Sequence, residues 1–70
     1  MKNYYIDTLI DEYSDHKIHK QDCAYLPKAT NRLFLGSFDD SFLAIAKAKE
    51  YSYIKTNGCY WCCRIIYKNK

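Results

Sequence analysis

In a chain of 70 residues, two widely separated pairs of soft ligands restrict the possible folds more than any other feature. His19 and Cys23 form an H-x3-C pair, and Cys59 and Cys62 form a C-x2-C pair. Thiolate and imidazole are the donors zinc takes in closed tetrahedral sites, and each spacing lets one turn of backbone offer two donors to one ion. Residues 24–58 lie between the pairs, room for one strand and one helix. A chain this short buries only about 60% of the surface that its unfolded form exposes. Structural zinc contributes about 10–16 kcal/mol in small peptides near neutral pH. That is comparable with the whole net stability of an ordinary domain, about 5–15 kcal/mol. His19, Cys23, Cys59 and Cys62 are therefore predicted to hold a structural zinc that staples a single domain spanning residues 1–70.

Two further residues compete for the site. His16 is a rival to His19, but only His19 has the ligand-pair spacing to Cys23. Cys63 is the spare thiol; adjacent cysteines point in different directions, so Cys63 is expected to be a small buried apolar residue. Three thiolates, a neutral imidazole and Zn²⁺ sum to a negative site, which Lys20 and Arg64 would soften and Asp22 would oppose. Disulfides are the alternative use of these cysteines, and they require an oxidising setting. A thioredoxin-like role for Cys59 and Cys62 fits poorly, because the motif follows a helix and an Asn-Gly pair rather than a strand that opens a helix.

The composition is that of a globular chain, 49% hydrophobic and 17% aromatic with eight tyrosines. Most of these tyrosines are expected to fill a thin core close to solvent, where the ring is buried and the hydroxyl stays wet. A net charge of +3 permits contact with nucleic acid without arguing for it. No apolar run approaches the ~20 residues of a membrane span, and acidic residues from Asp7 to Asp15 interrupt any leader-like stretch. The chain is expected to be cytoplasmic, with no membrane contact.

Residues 4–13 carry two patterns. Ile6, Leu9, Ile10 and Tyr13 mark one helical face, whereas the β-formers of Tyr4–Thr8 alternate as in a strand. The strand is preferred, with a polar turn over 11–15 and a returning strand at Lys17–His19. Pro27 excludes a helix after Cys23. Leu33–Leu35 reads as a short strand stopping at Gly36. A helix follows from Ser41 to about Tyr53, capped by Ser37, Asp39 or Asp40 and burying Phe42, Ile45 and Ala48. Asn57-Gly58 is expected to end the helical region and turn the chain. The fold class is thus α+β: a small antiparallel sheet of two or three strands packed on one main helix.

The order H-x3-C, insert, helix, C-x2-C resembles the small zinc-binding domain of the Ada DNA-repair proteins, over roughly residues 17–64. In that family all four ligands are cysteines, and the first accepts a methyl group from a DNA phosphotriester. His19 stands at that position, so the resemblance implies a fold and a zinc site rather than methyl transfer, with Cys23, Cys59 and Cys62 matching the other ligands. The segments HKQDCAYLP, LGSF and NGC-x2-C are also similar to short uncharacterised bacterial proteins, which supports the ligand choice and adds no function.

Nothing in the chain reads as catalytic. It has no nucleophile elbow and no phosphate-cradling loop, with only Gly36 and Gly58 present, and four ligands would close the zinc. The expected role is a zinc-stabilised binding module for a protein partner, with Tyr4, Tyr5, Tyr25, Tyr51, Tyr53, Tyr60 and Trp61 as the contact candidates. The alternative is nucleic-acid binding through Lys17, Lys20, Lys28, Arg32 and Arg64 with aromatic rings between them.

Overall fold

The ambiguous N-terminal segment is extended. A computed structural model describes residues 1–69, and in it the first strand, β1 (Lys2–Ile10), is longer than its alternating stretch predicts. Tyr4 and Ile6 point into the core, while Asn3, Tyr5 and Asp7 lie half-buried on the opposite face, the period of two expected for a strand covered on one side. Asp11 closes the following turn: its Oδ1 accepts from the backbone N–H of Tyr13 at 2.8 Å and of Asp15 at 3.0 Å. Ser14 takes the left-handed conformation there, with φ 64°. The chain returns as β2 (His16–Lys20), antiparallel to β1, with Ile6 opposite Ile18 and Tyr5 opposite His19.

A short 3-10 turn over Ala29–Asn31 leads into β3 (Arg32–Phe38), which pairs antiparallel with the other edge of β1. The strand does not stop at Gly36 as expected. Gly36, at φ 139°, sits in a bulge that moves the pairing from Tyr4–Gly36 to Tyr5–Phe34. The extra residue, Leu35, turns into the core, and the glycine supplies a backbone angle that other residues rarely adopt.

Helix α1 (Ser41–Glu50) starts where Asp40, in an extended conformation, accepts the backbone N–H of Leu43 at 3.0 Å. It buries Ser41, Ala44 and Ala48, with Ile45 packed at the margin. Phe42, expected in the core, is 59% exposed. The sheet explains this correction. Tyr4, Ile6, Ile18 and Leu35 already fill the space above it, so the helix turns its smallest side chains inward and lies close. Ser41 is fixed there by a 3.2 Å hydrogen bond with the Tyr4 hydroxyl. The tyrosine expectation is corrected in the same way: Tyr4 is the one fully buried tyrosine among the described residues, and Tyr13, Tyr25, Tyr51 and Tyr60 are exposed.

The helix ends before the predicted Tyr53. Ser52, at φ 73°, reverses the chain, with Tyr53 N–H donating to the Ala48 carbonyl at 3.0 Å and Ser52 N–H to that of Lys49 at 3.0 Å. This is the Schellman pattern. Asn57-Gly58, predicted as a turn, belongs to β4 (Thr56–Gly58), which pairs in parallel with β2. The sheet order is β3-β1-β2-β4. The protein is α+β with a small sheet on one helix, as expected, but the sheet has four strands and one pairing is parallel. No helix among the described residues is long and apolar enough to cross a membrane.

Candidate metal centre

The parallel pairing of β2 with β4 builds the site. Ile18 stands beside Gly58, and the Cys59 N–H donates to the Ile18 carbonyl at 2.9 Å. The next residue on each strand is a predicted ligand, His19 on one and Cys59 on the other. Each strand then runs into a tight turn that brings back a second ligand. Cys23 returns after residues 21–22, with its N–H on the Lys20 carbonyl at 3.1 Å. Cys62 returns after residues 60–61, and the Cys63 N–H reaches the Cys59 carbonyl at 2.9 Å. Two copies of one device, a strand end followed by a turn, thus face each other.

All four predicted ligand atoms lie within 4.8 Å of one another. The Cys23 and Cys59 sulfurs are 3.7 Å apart. His19 Nδ1 is 3.6 Å from the Cys23 sulfur and 4.0 Å from that of Cys62. Zinc–sulfur bonds of about 2.3 Å and zinc–nitrogen bonds of about 2.0 Å at tetrahedral angles require edges of about 3.8 Å between sulfurs and about 3.5 Å between sulfur and nitrogen. The Cys23–Cys59 and His19–Cys23 separations come close to those edges, and the His19–Cys62 separation is about 0.5 Å longer. A thiolate- and imidazole-binding ion fits these residues, with His19 binding through Nδ1.

The local backbone is arranged for charged sulfur. The Tyr25 N–H points at the Cys23 sulfur at 3.4 Å, and the Lys20 N–H at the Cys62 sulfur at 3.3 Å. Such donors stabilise thiolate. Without an ion, burial and the neighbouring Cys62 and Cys59 thiols push the Cys23 thiol up to about 12. Cys63 and burial likewise push the Cys62 thiol well above its ordinary range. Burial lowers the His19 imidazole below its usual value, against the opposing charge of Asp7. The histidine is therefore neutral near pH 7, as a ligand must be, and uptake of a cation would release protons from the thiols.

The two rivals fall outside the site. His16 is half-buried at the start of β2, where Nδ1 meets the Asp7 carbonyl at 2.9 Å and the ring lies edge-on to Tyr53 at 4.8 Å. Cys63 is 1% exposed and belongs to the core. Its sulfur touches that of Cys62 at 3.8 Å, but it is not one of the four clustered groups. All four described cysteines carry free thiols.

The sequence reading named Tyr25, Tyr60 and Trp61 as separate contact candidates but did not foresee the ring surface they build on these turns. Tyr25, two residues after Cys23, stacks near-parallel on Trp61 at 5.9 Å. Trp61 meets Tyr60 edge-on at 4.8 Å, and Tyr60 meets Tyr67 at 5.2 Å. Arg64, expected to soften the charge of the site, lies over the Tyr60 ring at 4.6 Å. Each of these residues was visible as aromatic or cationic, but only closure of the site brings Tyr25 to Trp61.

Against known protein families, curated proteins and solved structures, the chain finds no match.

Proposed function

We propose that this protein is a binding module stabilised by a structural zinc ion held by His19, Cys23, Cys59 and Cys62. The observation carrying this reading is the clustering, within 4.8 Å of one another, of four donor atoms drawn from two remote pairs. Four protein ligands leave no open coordination position, which favours a structural ion over a catalytic one. The ion would hold the β2 end, the β4 end and both turns in register. It would thereby present Tyr25, Tyr60 and Trp61 on a fixed surface. Tyr, Trp and Arg are the residue types over-represented where binding energy concentrates, and Trp61 is 67% exposed. The Ada-like ligand order is consistent with this role, with His19 in place of the methyl-accepting cysteine.

Native mass spectrometry of freshly purified protein tests the reading: one zinc per chain, with four unoxidised cysteines, is the expected mass. Removing the ion with a strong chelator at neutral pH should abolish the far-ultraviolet circular dichroism of the folded domain. Retention of the full spectrum by demonstrably metal-free protein would defeat the proposal.

A further inference from the structure

The sheet has one face covered by α1 and one face left open. On the open face Tyr5 and Phe34 pack together at 5.4 Å, with the Arg32 guanidinium over Tyr5 at 4.8 Å. Tyr5 is paired with His19, so this pair of rings borders the metal centre. From Lys17, two residues before His19 on the same side of β2, the ammonium reaches over Tyr67 at 5.7 Å. Tyr67 then leads through Tyr60 to Trp61 and Tyr25. Rings, three of them with a cation above, therefore run from the open sheet face, past the ligand turns, to the exposed Tyr25–Trp61 pair. Three of the four cation–ring contacts among the described residues lie along this path; the fourth, Lys47 on Tyr51, is on the helix.

We infer that this surface binds single-stranded nucleic acid. The inference rests on the binding-module reading and names the partner of that module. Protein-docking patches also enrich aromatic residues and Arg, but they deplete Lys at their centres. Here cations sit on the rings themselves, an arrangement that suits a polymer in which planar bases alternate with phosphates. Three acidic groups share the region, one of them Asp22 in the first ligand turn, paired with Lys2 at 3.3 Å. Asp7 lies on the same face, and Asp11 pairs with Lys17 at 3.7 Å. Arg64 is exposed and makes no ion pair among the described residues, so it is available to phosphate, whereas Arg32 also makes no ion pair there but donates one hydrogen bond to the Pro27 carbonyl at 3.0 Å. A duplex is disfavoured because its bases stack on one another and show only their edges.

The test is fluorescence anisotropy of labelled mixed-sequence 12-mers, single-stranded DNA and RNA, with the zinc-loaded full chain across a salt series. Zinc content and circular dichroism are read on the same samples. Binding should weaken with salt with a log–log slope of about −2, from about 0.7 per phosphate neutralised over three cations. Trp61→Ala and Tyr25→Ala should each weaken binding about 5- to 100-fold, the range for loss of one stacked base. Arg64→Ala should flatten the slope by about 0.7. Trp61, Tyr25 and Arg64 are exposed, so these variants should keep the fold and the ion. Absence of binding at low salt by folded, zinc-loaded protein overturns the inference and leaves the zinc module standing. Equal affinity for duplex, or binding indifferent to Trp61→Ala, also overturns it. Sub-stoichiometric zinc in well-folded protein would instead reveal failure of the metal reading.

Discussion

His16 and His19 stand three residues apart on one strand and do unrelated work. His19 presents Nδ1 to two cysteine sulfurs, whereas His16 hydrogen-bonds a backbone carbonyl and packs on Tyr53. His19→Ala should therefore reduce bound zinc well below one per chain and lower the melting temperature sharply. His16→Ala should keep a full complement of zinc and cost about 1 kcal/mol, the net worth of one hydrogen bond. Zinc stoichiometry by elemental analysis, with thermal unfolding of both variants, separates the two roles; full zinc in His19→Ala would exchange the assignment. The choice of His19 was legible in the sequence because ligand-pair spacing is a local property, set by the reach of one backbone turn. The exposure of Phe42 was not, because helix phase depends on how much volume the sheet leaves.

At the level of elements, two small residues govern how the helix leads into the candidate metal centre. Ser52 occupies the left-handed position that ends α1, a conformation that costs a residue with a β-carbon about 1 kcal/mol. Ser52→Gly should stabilise the domain by up to about 1 kcal/mol, read as a rise in melting temperature with zinc held saturating. A fall would show that the serine side chain does something the backbone geometry does not reveal. Gly58 is required for a different reason. A β-carbon there would meet the Cys63 carbonyl oxygen at 2.5 Å and collide with the Ile66 side chain. Gly58→Ala should cost about 3 kcal/mol by overpacking and weaken zinc retention, because β4 carries Cys59 directly into the site. Chemical denaturation with and without added zinc measures both effects. The same strand was misread as a turn. Asn-Gly is a turn signal in isolation, but here the Asn57 side chain exchanges two hydrogen bonds with the Lys68 backbone, at 2.8 and 3.0 Å, and anchors the C-terminal segment.

For the whole molecule, stability should follow the protonation of its ligands. The His19 imidazole titrates below its ordinary 6.5 in the folded protein. Above that value it is neutral in both folded and unfolded chains and contributes no pH dependence. As pH falls through 6.5 the unfolded chain takes up the proton first, so stability declines until the folded imidazole also protonates. Displacement of the ion from the sulfurs by protons acts in the same direction. Zinc release and unfolding should therefore coincide in a titration from about pH 8 to about pH 4, followed by a zinc-sensitive dye and circular dichroism together. Loss of zinc with the fold intact would separate the ion from stability. By itself the sequence determined which four side chains would cluster, the strand and turn character of most segments and the α+β class, since these follow from side-chain chemistry and short-range backbone geometry. Only the tertiary structure decided that β4 lies parallel to β2, which residues of the helix face inward, and which rings line the open face. Those outcomes depend on competition for space between residues far apart in the chain, and no local pattern encodes the winner.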